Sequence, residues 1–244
     1  MNKTNKILLS FFLILMSGLG FSQSVPSYVP TNGLVGWWGF NGNAQDNSGN
    51  GNHGTVNGGT TLSSDRFGAI NGSYFLDGGD CDFARGIVLP TIINNTSDFS
   101  ISFWAISLTN KSNQTLFVST PHNYLGIGYN HPFSPGNINS LIGDGVTWVI
   151  GGWGTSNFWN PTNMGDWNNI TVVKSSNTYY YYQNGALMRT QTFSSGLNTG
   201  SFSLNFGTIN FHGGGWCYEN FSGKLDDIGI WNRALTQQEI TNLY

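Results

Sequence analysis

The stretch Trp148-Val-Ile-Gly-Gly-Trp153-Gly-Thr-Ser-Asn-Phe158-Trp159-Asn160 sets aromatic rings among amide and hydroxyl side chains in a glycine-rich run. A sugar ring has an apolar C–H face and polar edges, so an aromatic plane flanked by hydrogen-bonding groups suits it. Tyr129-Asn-His131 and Gly215-Trp216 repeat the combination. Trp153, Trp159, Tyr129 and Trp216 are therefore candidate carbohydrate-binding residues. The alternative is that these rings pack over a sheet edge, or meet a protein rather than a glycan.

A second cluster has oxygen chemistry. Asp46-Asn47-Ser48-Gly49-Asn50-Gly51-Asn52 puts a carboxylate, amides and flexible backbone carbonyls within one short loop. Calcium takes about six to eight such oxygens, so Asp46 and Asn52 are candidate ligands of a structural Ca²⁺. Strand alternation places Asp226 on the inward face with Ile228 and Ile230, where its charge needs a partner. The Asp46–Asn52 loop brings no cationic side chain, which leaves a metal ion or backbone N–H donors to answer Asp226. The alternative for the loop is an Asp-capped turn held by backbone amides.

Catalytic patterns are missing. Paired carboxylates are the usual machinery of glycoside hydrolysis, yet Glu219 and Glu239 are the only glutamates, and the ten aspartates fall mostly in Gly/Asn turns. Asp226 and Asp227 are adjacent, and neighbours on a regular strand face opposite ways. There is no Gly-x-Ser-x-Gly elbow, and His53, His122, His131 and His212 lack the spacing of a metal-binding helix.

The 244-residue chain opens on Lys3 and Lys6, an apolar run from Ile7 to Met16, and small residues near Gly20-Phe-Ser22. That is the pattern of a secretory signal over residues 1–22, too short to be a membrane span. Removing it takes two of the nine Lys and Arg, so the net charge moves from −3 to −5. Seven cations are a poor basis for binding nucleic acid. Export permits a disulfide, and Cys81 and Cys217, the two cysteines available, are expected to be bridged, the alternative being two free buried thiols.

Elements that would position these groups are short and numerous. β-Branched or aromatic runs recur between Gly/Asn/Ser turns at Leu34–Phe40, Gly54–Asn57, Ser73–Leu76, Gly86–Leu89, Phe99–Ile106, Gln114–Ser119 and Tyr124–Tyr129. They continue at Thr147–Ile150, Asn169–Lys174, Thr178–Gln183, Ala186–Thr192, Phe202–Phe206 and Gly223–Trp231. Such spacing predicts an all-β sandwich or barrel. Alternation in Phe99-Ser-Ile-Ser-Phe-Trp-Ala105 predicts one buried face and one wet face. Asn184-Gly185 predicts a type I′ hairpin. Thr236 with Glu239 is a capping box that predicts one short C-terminal helix. Residues 23–32, with Pro26 and Pro30, read as a lead-in to one domain over 33–244.

The opening Gly33-Leu-Val-Gly-Trp-Trp-Gly-Phe40 with the Asp46–Asn52 loop resembles the first segment of LamG-like jelly rolls. Ser73–Gly78, Phe99–Ala105, Trp167–Val173, the Asn184-Gly185 hairpin and Gly223-Lys-Leu-Asp-Asp-Ile-Gly-Ile-Trp-Asn-Arg-Ala-Leu235 continue the likeness, which spans about Gly33 to Tyr244. These domains belong to the concanavalin A-like lectin/glucanase superfamily. The resemblance implies a two-sheet antiparallel jelly-roll sandwich with its first and last strands adjacent. It also implies a calcium site near the Asp46 loop, helped by the aspartate of the closing strand, Asp226. The laminarinase-like enzymes of the superfamily carry Glu-x-Asp-x-x-Glu on one strand, which this chain lacks. The expected function is thus a secreted, non-catalytic module that binds an extracellular glycan or glycoprotein. Alternatives are an adhesive or structural domain of a larger surface protein, or a glycan-active hydrolase.

Overall fold

The computed structural model describes residues 24–79, 85–111, 114–120, 125–131, 134–143, 148–150, 158–159, 163–193, 200–207 and 219–244. The signal segment, Cys81, Cys217, Trp153 and Trp216 lie outside the described residues, and Trp159 is described by its backbone alone.

Strands form two sheets. The first has the order β15 (Ala186–Thr192), β14 (Thr178–Gln183), β13 (Asn168–Ser175), β7 (Phe99–Ser107), β18 (Ser222–Trp231), β4 (Ser73–Asp77), β3 (Thr60–Ser63), and β1 (Leu34–Trp38) also pairs with β18. The second has the order β11 (Trp148–Ile150), β10 (Ser134–Gly143), β9 (Leu125–His131), β8 (Gln114–Thr120), β16 (Ser201–Phe206), β5 (Ile87–Val88), β2 (Thr55–Val56). Onto it β12 (Phe158–Trp159) pairs with β10, β17 (Glu219–Asn220) with β8, and β6 (Ile93–Asn94) with β16. Among the described strands every pairing is antiparallel except β17 with β8. The all-β sandwich is as the sequence predicts, with the first strand beside the last: Trp37 lies opposite Gly229 and Trp38 opposite Ile228.

The inner core follows strand periodicity. Phe99, Ile101, Phe103 and Ala105 of β7 all enter it, and Phe103 meets Phe117 and Phe206 edge-on at 5.6 and 5.4 Å. Edge-to-face contact sets the positive ring edge on a negative ring face, which adds to the area buried.

The other face of β7 is not wet, contrary to the alternation. Ser100, Ser102 and Trp104 are buried because that face is covered by α1 (Gln237–Leu243) and by the chain before β1. Val29, Trp37, Trp231, Leu235, Ile240 and Leu243 form this second apolar layer. Polar positions beneath it are satisfied: Ser100 Oγ donates to Arg233 O at 2.9 Å and accepts from Leu235 N at 3.0 Å. The lead-in is therefore part of the packed structure, with Trp231 Nε1 donating to Pro30 O at 2.7 Å. The four tyrosines of β14 divide between the layers, Tyr179 and Tyr181 inward, Tyr180 and Tyr182 outward.

Local signals hold. Asn184 and Gly185 have φ of 52° and 75°, the two left-handed residues of a type I′ turn. Thr236 and Glu239 form the reciprocal capping box at the helix start. The main addition is β10, hidden in sequence by Ser134-Pro-Gly-Asn137, which reads as a turn. Its pairing with β9 shifts register between Ser134 and Ile138 and becomes regular from Ile138 on.

Phe103→Ala should cost about 3–5 kcal/mol, because it removes a ring from between two others in a sealed core. Urea unfolding measures it, and a loss below about 1 kcal/mol would place Phe103 outside the core.

Candidate functional site

A cleft of about 400 Å³ opens where the end of β7 meets the turn before β13, lined by Ser107, Leu108, Thr109, Asn110, Tyr129, Asn163 and Gly165. Both walls are tied down. Gln114 Nε2 donates to Thr109 O at 3.2 Å and Lys111 O at 3.0 Å, while its Oε1 accepts from Ser222 N at 3.0 Å. Asn168 Nδ2 donates to Asn163 O at 3.1 Å and Asp166 O at 2.8 Å. Ser107 N donates to Met164 O at 2.8 Å and joins the walls. Such a prearranged wall saves a ligand the cost of ordering it.

Tyr129 alone of the sequence-derived carbohydrate candidates lines this cleft with a described side chain, and it is 9% exposed. Trp159 pairs with Ile138, which in turn pairs with Tyr129, so their backbones fall in one row across β12, β10 and β9. Thr109 Oγ1 is buried and has no hydrogen-bond partner among the described residues. A buried hydroxyl left unmatched is unfavourable, and a turn of the Thr109 side chain toward the cleft it lines would let a polar group there relieve it. Leu108 is half exposed at the rim. Sequence reasoning missed Leu108, Thr109 and Asn163, since a Leu-Thr-Asn or Pro-Thr-Asn stretch has no pattern apart from an ordinary turn.

The acidic candidates separate. Asp46 Oδ1 accepts from Trp37 N at 3.0 Å and Ser48 N at 2.9 Å, and Oδ2 accepts from Asn52 N at 2.9 Å. Burial pushes the Asp46 carboxyl up, but hydrogen bonds from Ser48, Trp37 and Asn52 outweigh it and hold it below the usual range. Asn52 Nδ2 donates to Val35 O at 2.8 Å. The Asp46 carboxylate is thus held by backbone amides, as in an Asp-capped turn.

Asp226 is answered by neither of the expected means alone. Arg66, from the turn between β3 and β4, reaches it with Nη1 at 3.1 Å and reaches Asp227 at 2.7 Å. Asp226 Oδ1 also accepts from Asp227 N at 2.8 Å. Two expectations change here. Asp226 does not share a face with Ile228 and Ile230: it pairs with Trp104 on the second layer, while both isoleucines enter the inner core. Nor do Asp226 and Asp227 diverge. The pairing of β18 with β7 shifts between Asp226 and Gly229, and Asp227 has φ of 46°. That bulge breaks the period of two and turns both carboxylates toward one guanidinium.

Burial and the adjacent Asp227 charge push the Asp226 carboxyl up to about 8, against the pull of Arg66. Burial also raises Asp227. The Arg66 guanidinium lies 4.5 Å from the ring centroid of Trp104, whose other neighbour Tyr244 stacks at 5.8 Å. Asp46 and Asp226 have no partner in common, and among the described residues no three His, Cys, Asp or Glu side chains gather as a metal site. A calcium ion joining Asp46, Asn52 and Asp226 does not fit this arrangement.

A laminin G-type sequence profile, described as concanavalin A-like lectin/glucanases superfamily, matches residues 82–241. The comparison with curated proteins returns no match. Among solved structures, domain 4 of AbnA, a GH43 extracellular arabinanase from Geobacillus stearothermophilus, in complex with arabinotriose, is similar over 86% of this chain and 97% of its own. It has 22% identity and a TM-score of 0.63. The binding domain of Paraclostridial Mosquitocidal Protein 1 is similar over 87% of this chain with 18% identity and a TM-score of 0.62. The binding domain of botulinum neurotoxin DC in complex with SialylT is similar over 87% of this chain with 17% identity and a TM-score of 0.63. This chain spans about half of each toxin domain, 52% and 51%.

Two expected outcomes test the acidic groups. Asp46→Ala should destabilise by about 1–3 kcal/mol by orphaning the buried Trp37 N–H, and EDTA should leave the wild-type melting temperature unchanged. A melting temperature that falls on chelation would restore the calcium site. For Asp226, the folded carboxyl keeps its proton to about pH 8, whereas the unfolded one releases it near the ordinary 3.8. Stability contributed by this group is therefore full below about pH 4 and declines as pH rises toward 8. Asp226→Asn should flatten that decline in melting temperature between pH 5 and 8. A variant-to-wild-type difference constant across that range would show that Asp226 titrates normally.

Proposed function

The chain belongs to the concanavalin A-like lectin/glucanases superfamily, and on that premise we propose that it is a secreted, non-catalytic module recognising a carbohydrate or glycoprotein outside the cell. The cleft lined by Leu108, Thr109, Tyr129 and Asn163 carries this reading. It offers an unmatched hydroxyl, amides and an apolar rim on loops already fixed, which suits a sugar's hydroxyls and C–H faces together. Relatives of the same fold support it, since the AbnA domain is in complex with arabinotriose and a related neurotoxin C structure concerns interaction with two ganglioside molecules. The N-terminal signal pattern supports export.

The carboxylates support a non-catalytic role. Glu239 is engaged by Arg233 and by Thr236 at the helix cap. Asp226 and Asp227 converge on one guanidinium, Arg66, rather than facing each other across a cleft.

Thr109→Val should hold or raise the melting temperature, because it removes a hydroxyl that the fold leaves unmatched. The same variant should weaken retention on a glycan array about tenfold, equivalent to about 1.4 kcal/mol, and Leu108→Ser should do likewise. Retention unchanged in both variants would show that glycan binding does not use this cleft.

A further inference from the structure

A second cavity, of about 150 Å³, opens on the far side of the first sheet beside the turn from β3 to β4, lined among others by Tyr28, Asn41, Asp65, Arg66, Phe67 and Asp227. The turn is rigid. Asp65 Oδ1 accepts from Phe67 N and Ala69 N at 2.8 Å each, and Asn71 O accepts from Gly42 N at 2.8 Å. Arg66 roots it in the buried Asp226 and Asp227.

This anchorage holds Phe67 80% exposed and Ile70 87% exposed. An aromatic side chain fixed in solvent contributes nothing to the core. Arg66 covers one face of the Phe67 ring, with its guanidinium 4.5 Å from the centroid. Beside the ring, Asp65 Oδ2 and Asp227 Oδ1 accept no hydrogen bond from the described residues, and the Asn41 side chain is exposed.

A ring that presents its plane next to open carboxylate oxygens matches a saccharide, whose hydroxyls donate while its C–H face stacks. With Asp226 holding its proton, Asp65 and Asp227 still outnumber Arg66, which opposes an anionic ligand. We propose that this cavity is a second carbohydrate subsite, selective for neutral over acidic sugars, with Phe67 stacking and Asp65 and Asp227 accepting from hydroxyls. The proposal rests on the glycan-binding reading but uses a different cavity from the Thr109 cleft. The small volume suits one sugar unit seated at the edge of a longer glycan.

The test is a chemical-shift titration of the ¹⁵N-labelled mature chain with lactose, arabinotriose and 3′-sialyllactose. At least one neutral sugar should shift the amides of residues 65–72 and Asn41, and 3′-sialyllactose should not. Phe67→Ala should weaken that response about tenfold and Asn41→Ala several-fold, both with an unchanged melting temperature because neither side chain is buried. Shifts confined to residues 107–111 and 163–165 would overturn the second subsite and leave the Thr109 cleft standing. Equal response to the sialylated and neutral sugars at Phe67 would overturn the selectivity. No response at either place would overturn both readings.

Discussion

A single guanidinium holds two carboxylates that the fold has taken out of water. Asp226 is 2% exposed and Asp227 9%, and Arg66 is the cation that meets both. Removing one partner from such a group leaves a buried charge unanswered, which is why a cluster of this kind constrains everything attached to it. Three parts of the chain far apart in sequence converge there: the β3–β4 turn through Arg66, the closing strand through the aspartates, and the N-terminal segment through Tyr28, whose hydroxyl donates to Asp227 at 3.3 Å. Burial and the Asp227 charge raise the Tyr28 hydroxyl to about 12, so it remains a donor across physiological pH.

The cluster explains why the first sheet has two buried faces. Trp104 lies under Arg66 and against Tyr244, so the ionic cluster and the C-terminal helix cover adjacent ground on the same face. Trp37, Trp231, Ile240 and Leu243 complete that layer. The two candidate subsites are anchored by different means. The Thr109 cleft is held by side-chain amides, Gln114 and Asn168, whereas the Phe67 turn is held by charge.

Where the chain follows simple periodicity, sequence reading was sufficient. The runs at Phe99–Ile106 and Thr178–Gln183 form strands, Asn184-Gly185 makes its hairpin, and Thr236 caps the helix. Each of these signals is local: a positive-φ pair, a capping oxygen, a period of two. Ser134–Gly143 escaped because Pro-Gly-Asn is turn chemistry at short range, and only pairing with β9, β11 and β12 makes it a strand.

The sequence by itself determined the sandwich and the amide-rich, low-charge surface, because side-chain alternation and turn propensity act between neighbours. It also marked Asp226 as a buried charge in need of a partner and Tyr129 as a ring worth attention. Only the tertiary structure decided that the partner is Arg66, 160 residues away. It alone decided, too, that a bulge at Asp227 sends two consecutive aspartates to one side. Alternation is a rule of the regular strand, and one inserted residue reverses it without any trace in composition. The display of Phe67 has the same origin, since the turn that carries it is tied by Arg66 to a strand far away in sequence.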